Sequence, residues 1–361
     1  VSRIISADRK LGVAIETALG GAAAYTKLMR TAPTVRVTGP AIPPFDPAKC
    51  EPGARPYAEA ALKQYEFVFS MPHISKMVET GKLDYTYEHN CYPTKMNAAL
   101  IEAMTGYAEL DPSRRDRALR IARAAADWLI AHSEPADAPL AHFPPTYQWD
   151  FQAAGQYAGE IMLLYPASAG SAYLCLHAAT GDARYLGAAE RIGATYLKLQ
   201  GEDGTWPLKM KTKDGAPIGV NRLVPIRTVI PFLEELALRT GKSDYRKAAE
   251  RAFDYLVRSR LETWNWEGQF EDNPLEPPYE NLTKHDACCC AMHLLRKGGG
   301  DRAKIDLARE LLRFAEDQFV CWEVPFTKDY PEWYSIVNPH RATAPCVLEQ
   351  YNWYVPVDAS A

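Results

Sequence analysis

What the sequence lacks already narrows its reading. Its 8 cysteines (Cys50, Cys91, Cys175, Cys288, Cys289, Cys290, Cys321 and Cys346) form no C-x-x-C pair and have no histidine at zinc-ligand spacing. A disulfide scaffold is therefore not expected, nor is a metal site or any other cofactor. No run of five like charges occurs, and 41 basic residues nearly balance 45 acidic ones, for a net charge of −4. That balance argues against nucleic acid or a polybasic membrane surface as partner. The stretch 161–181 has no Asp, Glu, Lys or Arg, but Pro166, Gly170 and His177 interrupt it. It reads as a buried inner helix rather than a membrane span. No strand-rich stretch of any length is present, although short hairpins could hide in loops.

The chain does have ample apolar material. Its 361 residues are 47% apolar and 24% charged, enough for a large core. Aromatics make up 11%, with 8 Trp and 20 Tyr, a supply suited to stacking on sugar rings. The clearest signal is a repeat. T-G-D-A-R-Y at 180–185, followed by A-A-E-R at 188–191, returns as T-G-K-S-D-Y at 240–245 and A-A-E-R at 248–251, an offset of 60. Weaker copies begin at Thr105-Gly106 and at 298–300.

Each copy has one grammar. A helix apolar nearly all round ends at a glycine C-cap. An amphipathic helix follows, with Tyr185, Ala189, Ile192, Tyr196 and Leu199 at helical spacing in one copy and Tyr245, Ala249, Ala252 and Leu256 in the other. A helix buried on all sides and a helix wetted on one side make an inner and an outer layer. Six units of ~60 residues fill the chain, which predicts an all-α fold, a single (α/α)6 toroid over 1–361. Inner helices are expected to begin near Tyr92, Glu160, Arg222, Asn281 and Arg341.

The turns inside each hairpin are short, whereas the connections between hairpins are long: 69–92, 133–159, 200–222, 261–283 and 319–341. Long loops at one end of a rigid scaffold are where sites form. Each of these carries a carboxylate, an aromatic and a base or amide. The candidate binding residues are His89, Tyr92, Tyr147, Trp206, Arg222, Trp266, His285, His340 and Arg341. The expected partner is an oligosaccharide, and Tyr147, Asp150, Trp206, Trp266, Glu267, His285 and Arg341 are expected to face one cavity. Trp206, in D-G-T-W, has a plainer reading as a staple of its loop.

The segment G-E-I-M-L-L-Y-P at 159–166, followed by the T-G-D-x-x-Y turn, resembles the six-hairpin glycosidases, above all the unsaturated glucuronyl and rhamnogalacturonyl hydrolases. In those enzymes an inner helix opens with D-D-x-x-M-x-x-P, and the Asp six residues before the Pro donates the proton. Glu160 stands at that spacing before Pro166. The pattern departs in three ways: Glu replaces Asp, its neighbour is Gly159, and the Met comes one residue early. K-H-D-A-C-C-C at 284–290 also resembles an exo-acting glucuronidase branch. The resemblance implies a glycoside hydrolase releasing a terminal uronic acid, with Glu160 as general acid.

Glycosidic hydrolysis also requires a second carboxylate facing the same cavity. Asp150, Glu267, Asp272 and Asp286 are the candidates. A uronate further needs cations, for which Arg222, Arg227, Lys284, His285 and Arg341 are available. Two rival chemistries fit the same loops. A lyase would use Tyr92 with His89, or His285, and an epimerase would pair His89 with His285 or His340. A non-catalytic glycan-binding protein would use the aromatics alone.

Overall fold

The computed structural model describes residues 65–80, 92–147, 157–266, 282–321, 346–347 and 350–351. The described residues up to Asp254 belong to one compact unit and those from Tyr255 onward to a second.

The first unit is a succession of helical hairpins. After α1 (Pro72–Thr80), α2 (Pro93–Leu110) pairs with α3 (Arg115–Ala131), and α4 (Tyr165–Thr180) pairs with α5 (Ala183–Leu199). Then come α6 (Val229–Thr240) and α7 (Ser243–Leu256). α2 packs on α4, and α4 on α6, forming the inner layer. α3 and α5 are the outer partners, each burying one stripe. This is an all-α plan of helical hairpins in an inner and an outer layer. Three short strands stand apart from the helices: β1 (Glu160–Met162), β2 (Pro207–Lys211) and β3 (Pro217–Arg222), an antiparallel sheet with β2 in the middle. In the second unit, α8 (Lys284–Lys297) and α9 (Arg302–Phe319) form another hairpin. Two-residue strands flank it: β4 (Leu282–Thr283) pairs with β7 (Gln350–Tyr351), and β5 (Val320–Cys321) with β6 (Cys346–Val347). No helix among the described residues is long and apolar enough to cross a membrane.

The sequence repeat is a repeat of bonds. Gly181 and Gly241 both adopt φ +71°, the left-handed cap that ends α4 and α6. Thr180 Oγ1 donates to the Leu176 carbonyl at 2.7 Å, as Thr240 Oγ1 does to Leu236. The repeated tyrosine ties each outer helix to the preceding one: the Tyr185 hydroxyl donates to Asp127 Oδ1 (3.1 Å), and Tyr245 to the Glu190 carbonyl (3.3 Å). Inner helices come close where a side chain is missing. A Cβ on Gly170 of α4 would lie 2.4 Å from the Phe232 ring of α6.

Three expected positions are corrected. Glu160 does not open a helix: 160–162 pair with β2, and α4 begins at Tyr165, with Pro166 in its first turn. Arg222 ends β3, and α6 starts seven residues later, after a 3₁₀ turn at Pro225–Arg227. Gly106 lies inside α2, so the weak copy there is not a turn, and the chain reverses instead at Asp111, whose side chain accepts from Ser113 N–H (3.0 Å). The 298–300 copy does turn, with Gly299 and Gly300 at positive φ.

Candidate functional site

The N-terminal halves of inner helices α2 and α4 and the start of α6 meet around a pocket of about 420 Å³. Lys95 and Glu102 reach it from α2, Tyr165, Ser168 and Ser171 from α4, and Arg227 and Thr228 from the entry to α6. Helix N-termini carry partial positive charge, so this end of the unit favours anions even before Lys95 and Arg227 are counted. Glu102 sits about two turns along α2 from Lys95. Burial raises its carboxyl above the ordinary glutamate value, although solvent still reaches part of the side chain.

Glu160 belongs to a second cluster at the start of β1. The chain turns into this strand at Gly159 (φ +78°), whose carbonyl accepts from Thr212 N–H at 2.9 Å. Glu160 lies opposite Lys211 in the ladder, and Met162 opposite Lys209. The diagonal neighbour, Lys209, is fully buried, and its Nζ stands 3.8 Å from Glu160 Oε2. That oxygen is sealed from solvent and has no hydrogen-bond partner, while the Glu160 side chain as a whole remains 21% exposed. Lys209 Nζ also lies 4.1 Å from the ring centre of Tyr157 and 5.3 Å from that of Tyr147, distances at which an ammonium is attracted to a π-face.

Tyr147 is buried and fixed by its neighbours in the chain. Thr94 Oγ1 on α2 donates to the Pro145 carbonyl (2.6 Å), and Met162 N–H donates to Thr146 Oγ1 (3.2 Å). A row of rings then joins the two clusters. Tyr157 packs on Tyr147 (4.8 Å between centres), which meets Tyr92 edge-on at 6.1 Å. Lys95 lies 5.7 Å from the Tyr92 ring and 6.0 Å from that of Tyr165 in the pocket.

The structure thus brings together Glu160, Tyr92 and Tyr147 of the residues chosen from sequence. Trp206 is corrected: it is fully buried, its Nε1 donates to the Tyr196 carbonyl at 2.9 Å, and it has no face left for a sugar. It staples its loop. Arg222 forks onto Asp203 at 2.8 and 2.6 Å, locking the end of β3 to the 201–206 turn. Burial opposes ionisation of Asp203, but the Arg222 fork and the Thr205 N–H outweigh it and hold the carboxyl below its usual range. Trp266, His285 and Asp286 belong to the second unit, where Trp266 is buried near Trp264 and Phe314 and Asp286 is buried in the first turn of α8. His89, Asp150, Glu267, Asp272, His340 and Arg341 lie outside the described residues.

Lys95 and Glu102 stand on α2, away from the long connections, so loop composition gives no signal for them. In the sequence Lys209 is only one of three alternating lysines, with Lys211 and Lys213. Among the described residues no group of three or more His, Cys, Asp and Glu side chains could hold a metal ion. Cys290 on α8 is buried, and burial pushes its thiol up to about 12, the state of an inert core residue.

No family model and no curated protein matches this chain. Several solved structures resemble it. A UGL variant with the saccharide dGlcA-Glc-Rha-Glc is 17% identical, with 74% of this chain and 70% of that one covered and a TM-score of 0.47. The unsaturated glucuronyl hydrolase of Bacillus sp. GL1, responsible for glycosaminoglycan degradation, is 18% identical over the same shares, at 0.48. A D-mannose isomerase is 13% identical, with 62% of this chain and 60% of that one covered, at 0.44.

Proposed function

We propose that this chain is a glycoside hydrolase that removes a terminal uronic acid, glucuronate or its unsaturated form, from an oligosaccharide. The observation that carries the reading is Glu160. Its carboxyl has one dry, unbonded oxygen beside a buried ammonium, and a row of tyrosines leads from it to a cationic pocket. Glu160 is assigned as the general acid that protonates the leaving oxygen. Tyr157 and Tyr92, both half-buried, supply apolar faces and hydroxyls of the kind that recognise sugar rings, with the buried Tyr147 packed behind them. Lys95 and Arg227 suit the substrate carboxylate, Arg227 through its planar fork. For the second carboxylate, Asp150 is the sequence candidate that belongs to the same unit as Glu160, and Glu102 is added by its place in the pocket.

The test is incubation with uronate-terminated oligosaccharides. Reducing sugar should appear, and Glu160→Gln should slow its release by about 10²–10⁴-fold. An unsaturated product absorbing in the ultraviolet would replace this reading by the lyase. Conversion without chain cleavage would replace it by the epimerase. Glycan binding with no turnover by the wild type would make the protein a binding module.

A further inference from the structure

Lys209 is the least expected charge among the described residues. It lies in β2 between Leu208 and Met210, and all three side chains are buried, while Lys211, one alternation further, is exposed. A lysine fully out of water is costly unless an anion and polarisable groups surround it. Here Glu160 Oε2 stands at 3.8 Å and the Tyr157 ring at 4.1 Å. The 3.8 Å gap is too long for a hydrogen bond, so the ammonium acts on the carboxylate by charge. The ladder register fixes this geometry, because Glu160 and Met162 share one face of β1, and Lys209, opposite Met162, reaches Glu160 on the diagonal. One carboxylate oxygen is thereby turned inward against the cation, while the side chain keeps its exposed fraction for a reactant.

We propose that Lys209 is the positioning residue of the reaction: its ammonium, set against the Tyr157 and Tyr147 rings, holds the Glu160 carboxyl in the orientation that proton transfer needs. Lys209 touches no substrate in this role and acts only through Glu160. The proposal rests on the reading of Glu160 as general acid.

The experiment compares wild type, Lys209→Met, Glu160→Gln and the double variant. The substrates are a uronate-terminated oligosaccharide and an aryl uronide whose leaving group needs little protonation. Lys209→Met should lower kcat on the oligosaccharide by about tenfold or more, with KM within about twofold, and lower it far less on the aryl uronide. The double variant should be no slower than Glu160→Gln, since both act on one step. Lys209→Arg, which keeps the charge, should recover most of the rate, and this serves as the deciding variant should Lys209→Met fail to fold. Equal losses on both substrates, multiplying losses in the double variant, or an arginine variant as slow as the methionine one would overturn the role of Lys209. A full-speed Glu160→Gln would instead remove the catalytic reading itself.

Discussion

Tyr196 is where the scaffold meets the site. Its ring is fully buried on α5, and its hydroxyl is inserted between two backbone groups four residues apart: it donates to the Leu163 carbonyl at 2.6 Å and accepts from Ala167 N–H at 3.0 Å. Leu163 directly follows β1, and Ala167 lies in the first turn of α4, where a helix has no partners of its own for its N–H groups. Leu164 supplies no side-chain cap, so the tyrosine of the neighbouring helix does the capping. Burial keeps its hydroxyl protonated far above neutral pH, so the donor is always present. Tyr196→Phe preserves the packing and strips both bonds. Two buried backbone groups left without partners, at about 1–3 kcal/mol each with some relaxation, give an expected loss of about 2–4 kcal/mol. Urea unfolding should show a lower midpoint at unchanged slope. Because Glu160 lies three residues before Leu163, kcat should fall as well. A variant within about 0.5 kcal/mol of wild type, with normal activity, would refute this account of how α4 and β1 are joined.

Further expectations follow from the same contacts. Trp206→Ala should cost about 3–5 kcal/mol in denaturant unfolding as a core truncation, and Trp206→Phe should leave KM unchanged while lowering the melting temperature, the reverse of what a sugar platform would show. Gly170→Ala should destabilise by about 1–3 kcal/mol, because the new methyl meets the buried Phe232 ring. For Glu102, whose carboxyl is raised by burial, the stability contribution is full below the ordinary value near 4.5 and is lost as pH rises through the folded value. Glu102→Gln should therefore melt slightly higher than wild type at neutral pH, with the gap closing in acid, and the shift should be small because the side chain is partly solvated.

The repeat at 180 and 240 made the hairpins legible because each of its letters does one structural job. Gly supplies the left-handed cap, Thr closes the last helical turn, and Tyr bridges to the preceding outer helix. The entries to the inner helices were less legible. Residues 161–164 are a short apolar run that fits a buried strand as well as a helix, and only Pro166 marked the true start. Strand pairing moved Glu160 off the helix but kept it beside the mouth of the inner layer. Lys209 defeated the period-2 rule, since alternation with Leu208 and Met210 places lysines on the wet face, while Glu160 and two tyrosines bury this one. Trp206 is the opposite case: an aromatic in a long loop fits both a sugar platform and a staple, and the bond to the Tyr196 carbonyl makes it the staple. The composition of a loop tells which residues are available, whereas burial decides which of them can touch a ligand.

The central claim is that a saccharide is cleaved against Glu160, and a crystal of the Glu160→Gln variant soaked with a uronate-terminated oligosaccharide tests it most directly. The account predicts the terminal ring against Tyr157, its carboxylate toward Lys95 and Arg227, and the glycosidic oxygen within about 3 Å of the substituted amide side chain at position 160. A saccharide ordered elsewhere on the chain, with residue 160 beyond the reach of the scissile bond, would contradict it.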